Sequence, residues 1–149
     1  MDTTPVYTKM CMKAEEIQLA WKPIPGDFCE KSYSQGVDTV ASVSKDVLFF
    51  PEDVGFDYIV GEEREECIWL PRQDQLQEMV GGNHWVKHYH FQTFINDILG
   101  WEIMKFNLNL DNYTSLEQAW LAYVMWGTFK KLWNGEDWVT ATYWVTATC

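Results

Sequence analysis

The chain has 149 residues, of which 47% are hydrophobic and 16% aromatic, and a net charge of −11. That length buries a core of ordinary size in a single globular domain, and the acidity argues against binding nucleic acid or an anionic membrane directly, because both need clustered Lys and Arg. Nine Trp, eight Phe and seven Tyr are more than enough for such a core, and Tyr and Trp left over from it serve interaction surfaces well, since they bury much area with few rotatable bonds.

Thr4 followed by Pro5 predicts a helix start, with the hydroxyl as cap and proline in the first turn. Met10, Ala14, Ile17 and Trp21 then recur at helical spacing and form one apolar face, until Pro23, Pro25 and Gly26 end the helix. Residues 27–70 read as three or four short antiparallel strands. Residues 37–43 (VDTVASV) alternate apolar and polar, 47–50 (VLFF) form a buried run, and Ser44, Lys45 and Asp46 make the hairpin turn between them. Residues 57–60 (DYIV) and 67–70 (CIWL) are two further apolar segments. Pro71 opens a short helix whose apolar side is Leu76, Met79 and Val80, broken at Gly81 and Gly82. A third helix runs from 84 to 99 with Trp85, Tyr89 or His88, Ile95, Ile98 and Leu99 as its face, and Gly100 as its stop. Residues 101–110 alternate as a strand. In the last helix Thr114 and Glu117 have capping-box spacing, Leu116, Trp120, Tyr123, Val124 and Phe129 follow as the apolar stripe, and Asn134 and Gly135 stop it. Residues 138–149 (WVTATYWVTATC) are a strand by propensity. The pattern predicts an α+β fold, a small mostly antiparallel sheet packed with about four helices.

Two segments, 68–80 (IWLPRQDQLQEMV) and 113–138 (YTSLEQAWLAYVMWGTFKKLWNGEDW), together with 8–28 (TKMCMKAEEIQLAWKPIPGDF), resemble a group of small proteins of tailed bacteriophages and prophages. The resemblance covers about half of the chain and none of its middle. It implies a setting, the host cytoplasm, and no particular reaction.

Catalytic motifs are missing: there is no nucleophile elbow, phosphate loop or dinucleotide fingerprint, and no cofactor is expected. His84 and His88 share a helical face at the spacing of zinc-ligand pairs, but the position after His84 that a metalloprotease fills with glutamate is Trp85; a metal-assisted hydrolase built on this pair is the weaker alternative. Arg72, after Pro71 at a helix start, is a ligand-binding candidate that could hold the phosphate of a sequestered nucleotide; its structural reading is a carboxylate pair. The segment 52–66 holds seven acids against Arg64, and Glu62, Glu63, Glu65 and Glu66 are the partner-binding candidates, set to meet a basic or nucleic-acid-binding host protein. Cys11, Cys29, Cys67 and Cys149 show no metal or redox spacing. The first ten residues have neither the basic start nor the apolar core of a signal peptide, so a cytoplasmic protein with reduced thiols is expected. The long uncharged strand at 138–149 should be paired, either within the chain or in a homodimer. The reading that follows is a binding protein that occupies a partner, in its sharper form an inhibitor of a host defence or nucleic-acid-handling protein.

Overall fold

A computed structural model describes residues 1–31, 36–44, 47–51, 56–60, 67–99 and 113–141. The chain falls into two compact units, Met1–Arg72 and Gln73–Cys149. The predicted α+β class is what is found, with five helices and three small antiparallel sheets among the described residues.

In the first unit, α1 (Pro5–Lys13) starts where expected, with the Tyr7 amide donating to Thr4 Oγ1 at 3.3 Å. The expected single helix is two. Ala14 leaves helical geometry at ψ 67°, and α2 (Glu15–Ala20) follows at once. At the break the Cys11 carbonyl accepts from the Ala14 amide at 3.1 Å and from Gln18 Nε2 at 3.1 Å. The apolar face survives the break, because Met10, Ala14, Ile17 and Trp21 are all buried.

The strands are β1 (Phe28–Lys31), β2 (Val37–Thr39), β3 (Ser42–Ser44), β4 (Val47–Pro51), β5 (Phe56–Val60) and β6 (Cys67–Leu70). They form two antiparallel sheets, ordered β2-β1-β6 and β3-β4-β5. The continuous strand expected at 37–43 is therefore divided. Its first half pairs with β1 and its second with β4. The crossing is made at Val40, which exchanges bonds with Gly26 and Asp27, and at Ala41, whose amide donates to the Phe49 carbonyl. Alternation was read correctly there, but it cannot tell that the partner changes. The expected hairpin between β3 and β4 is present in the pairing of Ser44 with Val47. The expectation of reduced thiols is corrected at one pair: Cys29 and Cys67, both buried, form a disulfide between β1 and β6. Antiparallel pairing of strands 38 residues apart in sequence brings them together, which spacing along the chain does not reveal. Leu48, Phe50, Ile59, Trp69 and Leu70 complete the core, with the Trp21 and Trp69 rings nearly parallel at 5.8 Å. Lys31 is buried among them, held by Asp38 Oδ2 at 2.9 Å and lying over the Phe50 ring.

In the second unit, α3 (Gln73–Met79) begins two residues later than Pro71, and α4 (His84–Thr93) continues as a π-helical segment, Phe94–Leu99. The last helix, α5 (Leu116–Phe129), is buried at every position from Gln118 to Met125. A helix apolar all round belongs in the centre of a unit, and α5 is that centre here. Its cap is shifted by one residue from the expected box. Ser115 is the cap and accepts from the Gln118 amide at 3.1 Å, while the Gln118 carboxamide reaches back to the Thr114 amide and hydroxyl. The box is thus Ser115 with Gln118, and not Thr114 with Glu117.

The expected helix stop at Asn134 is also corrected. The helix ends at Lys130, in left-handed geometry at φ 58°. A hairpin of β7 (Lys131–Trp133) and β8 (Trp138–Thr140) follows. Asn134 and Gly135 form its turn: Asn134 Oδ1 accepts from the Glu136 and Asp137 amides, and Gly135 takes φ 101°, a conformation glycine enters at no steric cost. The start of the predicted tail strand therefore pairs within the chain. Residues 142–149 and the strand predicted at 101–110 lie outside the described residues.

Candidate functional site

The exposed surface of the second unit gathers on α4. Asn83 caps the helix, its Oδ1 accepting from the Val86 amide at 3.0 Å. The apolar pattern puts Trp85 on the inner face and leaves Tyr89 or His88 open there; the structure turns His88 toward α5 and Trp85 and Tyr89 away from it. Phe91 stacks on Trp120 of α5 at 4.0 Å with planes 5° apart. Phe94 is buried against Tyr123 and Trp126, and the edge of His88 meets Trp120 at 6.0 Å. An offset or edge-on aromatic contact is worth about 1 kcal/mol beyond area burial, and these contacts of His88, Phe91 and Phe94 decide which side faces in. Trp85, expected on the inner face, and Tyr89, the alternative to His88 there, are consequently turned outward, 82% and 72% exposed. Val86 is exposed beside them, and α4 has no buried residue at all.

A Trp and a Tyr one helical turn apart form one patch. Between Glu78 and Asp97 there is no acid, while Lys87 and all three histidines, His84, His88 and His90, lie there. His84 and His88 do come together, with ring centroids 4.3 Å apart. Among the described residues no third ligand joins them in a group able to hold a metal ion, so the pair reads as part of the same polar and aromatic helix surface.

Arg72 is placed in a structural knot. Its Nη1 donates to the Gly26 carbonyl at 2.9 Å and stands 3.7 Å from Asp27 Oδ1. Asp27 is fully buried and accepts from Trp21 Nε1 at 2.8 Å and from the Ile24 amide at 3.0 Å. This is the carboxylate pairing that the sequence offered as the structural role of Arg72. The helix that follows is a two-turn element, Gln73–Met79, too short to build an anion site of its own. Glu62, Glu63, Glu65 and Glu66 lie outside the described residues.

Cys11 is the free cysteine among the described residues. Burial pushes its thiol well above the ordinary range, an effect only partly opposed by a hydrogen bond with Tyr7. A buried, protonated thiol is a poor nucleophile. Sequence reasoning missed the α4 surface as a site because it put Trp85, with Tyr89 or His88, on the inner face. The signal that could have found it is the pair Phe91 and Phe94, three residues apart, which face α5.

No protein-family model, curated protein or solved structure matches the chain. No helix among the described residues is long and apolar enough to cross a membrane.

Proposed function

We propose that the protein acts by occupying a partner protein, as a binding protein of phage or prophage type in the host cytoplasm, and that its target is a host defence or nucleic-acid-handling protein. The observation that carries the reading is the outward Trp85–Tyr89 face of α4. Large exposed rings on a capped helix are costly to leave in water and are the residues that dominate binding energy when covered. The acidic run Glu62, Glu63, Glu65 and Glu66 supports a basic target, since complementary charge speeds encounter and selects partners. The phage setting rests on the sequence resemblance alone.

The test is affinity capture from a prophage-bearing host lysate with three proteins: wild type, Trp85→Ala with Tyr89→Ala, and the four glutamates reversed to Lys. The expected result is one dominant host protein, retained by wild type, lost with the aromatic pair, and weakened by the charge reversal and by salt. Capture that survives both sets of substitutions in folded protein overturns the reading.

A further inference from the structure

The pairing of β1 with β6 sets two sulfurs together in different surroundings. Cys29 stands opposite Trp69, and Cys67 opposite Lys31. Side chains two apart on a strand share a face, so the cysteines lie on one face of the sheet and are joined there. Cys67 forms part of the wall of a cleft of about 520 Å³, together with Met12, Glu15, Gln18 and Leu19. Leu19 is 87% exposed, and Met12 and Glu15 are exposed as well, so the mouth of that cleft meets solvent. Cys29 is 0% exposed against 5% for Cys67. Its neighbour on β2 is Asp38, whose Oδ2 holds the buried Lys31 ammonium at 2.9 Å. A thiolate formed at Cys29 is thus received beside an ion pair that contains N–H donors, and not in a wholly apolar core.

We propose that Cys29–Cys67 is a thiol–disulfide exchange site for a small-molecule thiol, with Cys67 the sulfur that is attacked and Cys29 the one that departs. Exchange starts at whichever sulfur an incoming thiolate can reach, and the cleft reaches Cys67. The thiolate bonds Cys67 Sγ, the S–S bond breaks, and its electron pair leaves with Cys29 Sγ, which takes a proton. A second thiolate then attacks the small-molecule sulfur of the mixed disulfide. It leaves as a small-molecule disulfide, and the Cys67 thiolate released takes a proton in turn. Two small thiols are oxidised, and the protein disulfide is reduced by the same two electrons. In the reverse direction a small-molecule disulfide adds to Cys67, and Cys29 displaces it. The surrounding thiol couple thereby sets whether β1 and β6 are covalently tied, and a reducing compartment holds the pair as thiols. Glu15, the charged side chain of the cleft wall, favours a cationic thiol over an anionic one. This chemistry lies beyond the binding role of α4 and does not depend on it.

The test incubates the oxidised full chain in native buffer with reduced glutathione, an anionic thiol, or with cysteamine, a cationic one. Thiols are blocked with N-ethylmaleimide at intervals and located by peptide mass. The expected result is opening of Cys29–Cys67 at a rate proportional to the thiol and unchanged by urea below the unfolding transition. With oxidised glutathione, Cys29→Ser should carry the adduct at Cys67, and Cys67→Ser should react at Cys29 at least about tenfold more slowly. Glu15→Lys, at an exposed position, should shift the ratio of the cysteamine and glutathione rates at least about threefold toward glutathione. Opening that occurs only at the rate of global unfolding marks a closed structural bond and overturns the site. So does adduct formation at Cys29 as fast as at Cys67, or a rate ratio indifferent to Glu15. The wild-type rates need no cysteine variant and decide the matter if either variant fails to fold.

Discussion

Asp27 is a carboxylate with no water to solvate it, and the fold supplies the replacement donors: the Trp21 indole, the Ile24 amide and, at longer range, Arg72. An unmade bond to a buried charge is costly, so Asp27→Ala should destabilise by about 3 kcal/mol. Arg72 is 30% exposed at its side chain, and Arg72→Ala should cost no more than about 1 kcal/mol. Urea denaturation of the two variants checks the order; equal midpoints would show that Asp27 is not the organising member. Cys11 gives a pH prediction. Its thiol is held protonated in the folded state by burial, whereas the unfolded chain ionises in the ordinary range near pH 9. Above that pH the unfolded state binds fewer protons, so stability falls as pH rises. Tyr113, whose phenol burial also pushes up, acts in the same direction. Melting temperature should therefore decline between pH 8 and 10, conditions chosen to span about one unit either side of the thiol range, and decline less in Cys11→Ala. An identical slope in the variant would remove Cys11 from the account.

At the scale of the element, α5 holds the second unit together because it is packed on every side. Trp120, 1% exposed and stacked by Phe91, is its largest buried side chain, and Trp120→Ala should cost roughly 3–5 kcal/mol. The cap is separable from the stripe. Ser115→Ala removes the acceptor for the Gln118 amide and should cost about 1 kcal/mol. Thr114→Ala removes only an acceptor for the Gln118 side chain and should cost less. Chemical denaturation ranks the three, and a larger loss at Thr114 than at Ser115 would return the cap to the position first expected. In α4, Trp85→Ala and Tyr89→Ala remove exposed rings and should leave stability within about 0.5 kcal/mol of wild type. That near-neutrality is what makes the pair a clean probe of binding.

At the scale of the molecule, the two units are closed differently. In the first, the Cys29–Cys67 disulfide spans 38 residues and encloses β2 to β5. Closing a loop of that length restricts the unfolded chain by about 4 kcal/mol in the entropy model. Reductant should accordingly lower the denaturation midpoint, and a midpoint indifferent to reductant would mean that the bond contributes nothing in solution. In the second, β8 pairs with β7, and residues 142–149, the rest of the predicted tail strand, lie outside the described residues. Truncation after Ala141 keeps the hairpin. Light scattering before and after it tests the homodimer that the sequence leaves open: a fall from dimer to monomer supports tail pairing between copies, and an unchanged mass rules it out.

The sequence by itself determined what depends on residues within one or two turns of each other. Thr4 and Pro5 start α1, the prolines at 23 and 25 end the helical stretch, Met10, Ala14, Ile17 and Trp21 face one way, and Trp120 and Val124 are core. Each follows from backbone sterics or a helical repeat, which act over a few residues. The α+β class followed from the same local patterns taken together. Tertiary structure decided what depends on a partner far along the chain. Alternation at 37–43 is the same whether one strand or two sheets receive it. The Ala14 break is spanned by Gln18, whose carboxamide bonds both the Cys11 carbonyl and the backbone of Trp69 in β6. Asn134 and Gly135 suit a helix stop and a hairpin equally, and the pairing of β7 with β8 selects the hairpin. Cysteine spacing is silent about Cys29 and Cys67 because the pairing of β1 with β6 is what joins them. The surface of α4 is the clearest case for function: its pattern leaves Tyr89 or His88 open on the inner face, and the aromatic row of α5 chose the side that leaves Trp85 and Tyr89 in water.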